Sequence, residues 1–431
     1  MIKYTIKRNG QREEFDPNKI NGWGIWASQA LGSEVAWSEI VLHVFSIMPE
    51  EVTTEQLQNA LIKACIDKRT WKYSCMAGRL YAALAYKQLY GKNNIPTVEQ
   101  LHQRMFEAGL MVKLNYSKED YAYVQSIINH DLDFKSTQYE FQQLRYKYAL
   151  RNKKTGQEFE TPQFVYMRMA MALAEEEPGE TRLQDVTKWY EHFSHKRINP
   201  PTPNFTNLGT NLRGYASCCL YTVDDNVHSL ATGDHIAYIM TAMSAGIGAH
   251  MKTRSIGDHV RQGLIEHQGK LPYYKSLVGA IGANLQNGRG GAATVHYTCF
   301  DPEVEVIHKL KNPMTPANKQ VRGCDYSFGS NKFFARRVAR NEDIALFSYA
   351  DAPELYEAQY DKDQNLFEKL YNKFLESDKP RTTISARKLL INVSNEAYET
   401  GRHYIHLMDT INKHTPFKGK IYSSNLCKEI C

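Results

Sequence analysis

No apolar run in the chain is long enough to cross a bilayer: the longest uncharged apolar stretch, Ile236 to Ala249, falls short. The opening residues Met1-Ile2-Lys3-Tyr4-Thr5-Ile6-Lys7 lack the apolar core of a signal peptide. A soluble, cytoplasmic protein with no membrane contact is therefore expected. Cys-x-x-Cys pairs are also missing. Cys65, Cys75, Cys218, Cys219, Cys299, Cys324, Cys427 and Cys431 are scattered through 431 residues, a pattern that suggests neither a disulfide framework nor a zinc site. No metal ligands are expected, and reduced thiols are the default. Nor is there a strong charge of one sign. The net charge is +6, with 53 basic and 47 acidic residues and no basic run, so no nucleic-acid-binding arm is expected, whereas a small phosphorylated ligand is compatible.

What is present begins with a compact unit over residues 1–92. Ile2, Tyr4 and Ile6 alternate with Lys3, Thr5 and Lys7, and Asn9-Gly10 is a type I′ turn signal leading into Glu13-Glu14-Phe15, which reads as a β-hairpin. Asp16-Pro17 opens a helix, Thr53-Thr54-Glu55 starts another, and a last helix through Leu80, Leu84 and Lys87 stops at Gly91. This stretch resembles the ATP-cone, a small regulatory nucleotide-binding domain. The resemblance rests on the Lys7-Arg8-Asn9-Gly10 turn, the segment Glu13, Glu14, Phe15, Asp16, Pro17, Asn18 and Lys19, Thr54 at a helix start, and Lys87. Lysines and helix-start amides suit a triphosphate, and the resemblance implies ATP or dATP as the ligand.

Residues 93–200 read as a mainly helical region, with the all-round apolar segment Phe164 to Ala174 as a buried helix ended by Glu175-Glu176-Glu177-Pro178-Gly179. Asn199-Pro200-Pro201-Thr202-Pro203-Asn204 is too rigid for a central strand or helix, and a domain running over residues 201–431 is expected to start there. Its pattern is a strand through Tyr215 to Tyr221, a helix through Ile236, Ile239 and Met243, a break at Gly246-Ile247-Gly248, and a glycine-rich loop Asn287-Gly288-Arg289-Gly290-Gly291 before Thr294-Val295-His296-Tyr297. Further strands and helices alternate up to Gly401 and Tyr404 to Leu407. This βαβα rhythm argues for an α/β fold with a parallel sheet or barrel.

The chemistry concentrates in Ser423-Ser424-Asn425-Leu426-Cys427-Lys428-Glu429-Ile430-Cys431. In an extended segment, Asn425, Cys427 and Glu429 share one face, giving a single pocket an amide, a thiol and a general base. A lone buried cysteine in an ordinary strand has the same local signature.

Four motifs in order separate these readings: Ser217-Cys218, the Arg289-Gly290-Gly291-Ala292-Ala293-Thr294 loop, Asn412-x-His414-Thr415-Pro416-Phe417, and Asn425-Leu426-Cys427-x-Glu429-Ile430. Together they resemble the large (α) subunit of class I ribonucleotide reductase. The resemblance implies a half of a ten-stranded α/β barrel with a central finger loop. It implies that Cys427 becomes a thiyl radical that abstracts the 3′ hydrogen of a ribonucleotide, that Glu429 takes the 3′-hydroxyl proton, that Asn425 binds the sugar, and that Cys218 supplies a reducing equivalent. Thr202 and Ser217 match substrate-lining residues. Asp225, Asn226 and Val227, with Arg254 and Arg261, match a site for deoxynucleoside triphosphate effectors, while Gln286 and Arg289 match the loop relaying effector identity to the substrate. The radical would come from a diiron, tyrosyl-radical small subunit, the electrons from thioredoxin or glutaredoxin, and the assembled large subunit would be a homodimer.

Family members continue beyond the position of Ile430 through the second half of the barrel. A separate polypeptide carrying that half is therefore expected as a partner, completing the active site from two chains. The alternatives are a catalytically inert nucleotide-binding regulatory fragment, and a fragment of a class II or III reductase.

Overall fold

The computed structural model describes residues 2–91, 94–284 and 291–430, and the chain divides into two compact units, 1–215 and 216–431. In the first unit, β1 (Tyr4–Ile6) pairs antiparallel with β2 (Arg12–Glu14) as expected of the hairpin. The turn is not type I′, however. Gly10 has φ +81° while Asn9 is not left-handed, and Gly10 N donates to Lys7 O at 2.9 Å, so glycine alone takes the strained position of a longer turn. A third strand, β3 (Glu51–Thr53), lies parallel to β1. At three residues, one of them the acidic Glu51, it carries no alternation by which to recognise it.

Four helices complete this layer: α1 (Pro17–Ser28), α2 (Trp37–Ile47), α3 (Thr54–Asp67) and α4 (Trp71–Tyr90). Asp16 caps α1 with Pro17 in its first turn, and Thr53 and Gln56 form a reciprocal capping box on α3. Gly91, at φ +74°, ends α4. Leu57, Leu61, Met76 and Leu80 form the seam between α3 and α4. Each such side chain contributes roughly 1.5–3 kcal/mol on burial.

The helix Pro162–Ala174 is buried on nearly every side, including a charge at its centre. Arg168 is fully buried with Glu160 at 2.7 Å, and it donates to the carbonyls of Phe205 and Leu208. These bonds hold the short helix Thr202–Asn207 in the first unit. The division thus falls after Tyr215, fourteen residues beyond Pro201 and past the proline-rich segment at which the sequence places a boundary.

The second unit is built on five parallel strands in the order β12-β9-β8-β5-β4. These are β4 (Cys218–Val223), β5 (Gly246–Met251), β8 (Ala293–Thr298), β9 (Asp325–Ser330) and β12 (His403–Leu407). Small antiparallel pairs flank them: β6 (His259–Val260) with β7 (Ile265–Glu266), and β10 (Asp343–Leu346) with β11 (Thr382–Ser385). Gly246 and Gly248 do not break the chain. They belong to β5, and the preceding turn is made at Ser244, φ +71°.

Alternation along these strands separates two faces. Ile247, Ala249, Val295, Tyr297, Tyr326 and Phe328 join the core with Leu277, Ile281, Phe334, Leu389 and Val393 from the helices connecting the strands. The opposite face carries Cys218, Gly246, Gly248, His250, Thr294, His296, Thr298, Ser327, Tyr404 and His406, in the register that sets Cys218 beside Gly246 and His250 beside His296. It is polar yet largely buried, with His250, His296, Thr294, Ser327 and His406 all inaccessible.

Candidate active site

The polar face is covered by the segment Tyr422–Leu426. Gly246 and Gly248 leave it room. A Cβ on Gly248 would stand 2.9 Å from the Ser424 carbonyl carbon and 3.0 Å from Asn425 Cα, and one on Gly246 would meet the Leu426 side chain. Two side chains of β8 catch the passing backbone: Thr294 Oγ1 donates to Leu426 O at 2.6 Å, and His296 Nε2 donates to Ser424 O at 2.9 Å. Tyr422 stacks on His250 with ring centroids 5.4 Å apart and planes 12° from parallel.

The segment then turns back on itself. Asn425 N donates to Ile430 O at 3.2 Å, Ile430 N donates to Asn425 Oδ1 at 3.0 Å, and Lys428 takes the left-handed φ of +68°. The finger loop therefore ends in a closed turn, and the expected extended geometry for Asn425, Cys427 and Glu429 is not found. The reason is Asn425 itself, whose side chain binds the backbone across the turn and competes with strand geometry. Asn425 is buried, while Cys427 and Glu429 are exposed beyond it. The Asn425 Nδ2 donor is buried with no partner among the described residues.

The turn brings Glu429 to β4. Cys218 Sγ and Glu429 Oε1 are 4.0 Å apart, joining residues separated by 211 positions in the sequence. Cys219 points to the apolar side, where burial and then the neighbouring Cys218 raise its thiol pKa. Tyr404 is raised by burial, by Asp325 and by Cys427, which places the thiol near this tyrosine of β12. Lys428 Nζ binds His406 Nδ1. Burial drives His406 down to about 3, helped by Lys428 and His250, and drives His250 down to about 3, helped by Lys252. His296 falls well below the usual range through burial, then His406, Lys428 and His250. All three imidazoles are thus neutral at ordinary pH. Ser217 lies just before β4, its carbonyl accepting from Gly246 N at 2.7 Å. Thr202 belongs to the first unit, where its hydroxyl is 3.4 Å from that of Tyr148.

This arrangement pairs a thiol with a carboxylate at exchange distance and presents a second thiol and a buried amide donor on one rigid turn. It suits proton transfer next to sulfur chemistry in a site with dry walls. Among the described residues no group of histidine, cysteine and carboxylate side chains could hold a metal ion.

A second locus lies on the same unit. Val227 and Arg261 line a cavity of about 660 Å³ with Asp234, Glu266, His267 and Tyr273. Asn226 caps the helix Val227–Ala242 by accepting from Ser229 N at 2.8 Å. Asp225 is committed to Arg254, which reaches its Oδ2 from Nε at 2.8 Å and from Nη2 at 2.7 Å. His267 and Tyr273 stack at 5.7 Å and 12°. The sequence offers no signal for that pair, six residues apart across a turn and a helix start. Gln286 and Arg289 lie outside the described residues.

In the first unit, Lys7 and Lys19 converge on Glu13, the second at 3.6 Å. Glu13 is held below the usual carboxylate range first by its hydrogen bond to Lys7. Ile6 of β1 pairs with Thr53, so Lys7 and Thr54 follow adjacent strand ends. Glu14 lies in β2, Phe15 packs edge-on against Phe45 at 5.3 Å, and Asp16 accepts from Asn18 N at 2.9 Å. Lys87 lies 4.9 Å from the Trp23 ring of α1. Two lysines beside a helix start fit an anionic ligand.

Fold and site define a class: a parallel five-stranded α/β sheet whose polar face is crossed by a thiol-bearing loop, preceded in the chain by a helical region and a small hairpin-bearing domain. Residues 216–431 match the model of the ribonucleotide reductase barrel domain, 134–213 that of its all-alpha domain, and 3–80 that of the ATP cone domain. The chain is 33% identical to ribonucleoside-diphosphate reductase 1 subunit alpha of Escherichia coli (strain K12) and 32% identical to the subunit alpha of Enterobacteria phage T4. Each match takes in 99% of this chain but only 57% and 58% of the respective relative. A more distant subunit alpha, from Helicobacter pylori, is 26% identical over 99% of this chain and 54% of its own length. This chain belongs to the ribonucleotide reductase large-subunit family, with an N-terminal ATP-cone and part of the barrel.

Proposed function

We propose that the chain forms the effector-binding and thiol-bearing part of a large subunit that reduces ribonucleoside diphosphates to deoxyribonucleotides. The observation that carries this reading is the Cys218–Glu429 contact at 4.0 Å, made by a loop anchored on the sheet's polar face. In this reading Cys427, as a thiyl radical, takes the 3′ hydrogen of the ribose, and Glu429 accepts the 3′-hydroxyl proton. The 2′-hydroxyl leaves as water, and Cys218 supplies a reducing equivalent, forming a disulfide with a second thiol that the rest of the barrel contributes. The buried Nδ2 of Asn425 binds the sugar, and Ser217 lines the substrate. The radical is supplied by a diiron small subunit, and thioredoxin or glutaredoxin returns the electrons.

The cavity at Val227 and Arg261 takes a deoxynucleoside triphosphate effector, and Asp225, Asn226 and Arg254 contribute to the same effector site. Gln286 and Arg289 relay its identity. ATP or dATP binds the cone at Lys7, Lys19, Thr54 and Lys87. The assembled subunit works as a homodimer in the cytoplasm.

Strands β4 and β12 are the edges of the five-stranded sheet, with Leu220, Ile405 and Leu407 half exposed on them. Such edges call for further strands. We propose that these come from residues outside the 431, which bear the rest of the barrel. The test is purification of the tagged chain from its source, identification of what copurifies, and assay of CDP reduction with a radical-generating small subunit. Activity that needs a second polypeptide and vanishes in Cys427→Ser is the expected result. Nucleotide binding without turnover in every mixture would overturn it in favour of an inert regulatory fragment.

A further inference from the structure

We propose that Thr294 and His296 are positioning residues that set the register of the thiol loop on the sheet. The two lie at alternate positions of β8 and bind carbonyls at alternate positions of the loop: Thr294 takes Leu426 O at 2.6 Å, and His296 takes Ser424 O at 2.9 Å. On the neighbouring strand, Gly246 faces Leu426 and Gly248 faces Ser424. Each loop residue thus has one glycine and one donor, and the order along the loop runs opposite to that along the strands. The track has two rungs spaced like a strand.

The loop has no place of its own in the sheet. Each of the five strands pairs only with other strands, so side-chain donors do the work that a backbone ladder does elsewhere. Slippage by one rung would carry Cys427 roughly 6–7 Å along the track and part Glu429 from Cys218. A slipped loop would still offer carbonyls to both donors, so the register rests on them together with shape: the Leu426 side chain fills the space over Gly246 and the Ser424 backbone that over Gly248. A donor that lost its carbonyl would be left buried and unpaired. His296 Nε2 lies 2.9 Å from Ser424 O, to which it can only donate, and 3.4 Å from the Ser424 amide, so the shorter contact to the carbonyl is taken as the anchor. Its Nδ1 is buried with no partner among the described residues. Burial, then His406, Lys428 and His250, disfavour a second proton on the ring.

Hydrogen exchange of the full 431-residue chain, read by mass spectrometry over peptides spanning 420–431, tests the register without requiring turnover. Thr294→Val and His296→Phe remove the donors, while Thr294→Ser and His296→Gln keep them. The expected result is about fivefold faster exchange within 424–430 for the first two, what one net hydrogen bond of about 1 kcal/mol supplies. The second two should stay within about twofold of the native chain, and the amides of β8 and α3 should be unchanged throughout. Native exchange in Thr294→Val and His296→Phe would overturn the proposal. So would equal acceleration in the donor-keeping variants, or acceleration spread over β8, which would mark a loss of sheet stability alone.

The activity arm rests on the reading of Cys427 as the reacting thiol. In a complemented, active enzyme, Thr294→Val should lower kcat at least tenfold with KM for CDP within about twofold, and Thr294→Ser should restore kcat. If the native assembly is inactive, that reading fails while the exchange result still stands or falls by itself.

Discussion

Replacing Gly248 with alanine is the sharpest perturbation of the site. The added carbon would lie 2.9 Å from the Ser424 carbonyl carbon and 3.0 Å from Asn425 Cα, and closer still to the Ser424 oxygen. Carbon atoms sit comfortably at about 3.5–4.0 Å, and β5 is held by neighbours on both sides, so the loop must give way by about 1 Å. Its two anchors start at 2.6 and 2.9 Å. That shift takes both beyond hydrogen-bonding range. At about 1 kcal/mol each, the loss is about 2 kcal/mol, or roughly thirtyfold in the population of the opened loop. Chemistry suffers more, since a misplacement of about 1 Å costs on the order of a hundredfold. Gly246→Ala meets only the flexible Leu426 side chain and should be milder on both counts. Exchange over 424–430 and single-turnover rates in the complemented enzyme are the assays. Native behaviour in Gly248→Ala, or a larger effect from Gly246→Ala, would refute the packing argument.

Acid should unfold the second unit first. His250, His403 and His406 are pushed down to about 3 by burial, and burial also holds His296 well below the usual imidazole range, against His102 at about 3 and His130 at about 4 in the first unit. A depressed histidine stabilises the fold above its unfolded value, so stability falls from about pH 6.5 downward by about 1.4 kcal/mol per pH unit for each group. Asp133 works the other way: burial raises it to about 7, a contribution gained as pH falls and lost on raising pH through that value, which offsets part of the loss in the first unit. Calorimetry between pH 7 and 4 should show the barrel transition moving down faster than the other, and parallel shifts would contradict the assignment. Arg168→Met leaves Glu160 as an unpaired buried charge, and should cost about 3–5 kcal/mol and lower the melting of the first unit only. Gly78→Ala drives a Cβ to 2.9 Å from Thr137 C and 3.0 Å from Gln138 N, and overpacking there should cost about 1–3 kcal/mol, measurable by urea unfolding.

Capping residues made the first unit legible: Asp16, Thr53 and Gly91 bound helices where their chemistry places them. Asn425, Cys427 and Glu429 stood out in the sequence as a motif, but the geometry of their loop did not. The side chain of Asn425 folds the backbone into a turn, and a two-residue spacing reads the same in a strand. The floor beneath it was written in β5 and β8 as Gly-x-Gly-x-His and Thr-x-His-x-Thr. That period-two polar pattern marks a buried polar face, but glycines met singly read as breaks. The end of the first unit at Tyr215 depends on Arg168 reaching carbonyls 37 and 40 residues away, a tie no local pattern announces.

Because the loop is fastened by side chains, the five strands can complete their pairing before it arrives. Its anchors close contacts 128 and 132 residues apart, and the Cys218–Glu429 contact spans 211. Contacts of that length carry the larger entropic cost of closure. The sheet can thus be paired before Cys218 and the loop bearing Cys427 meet.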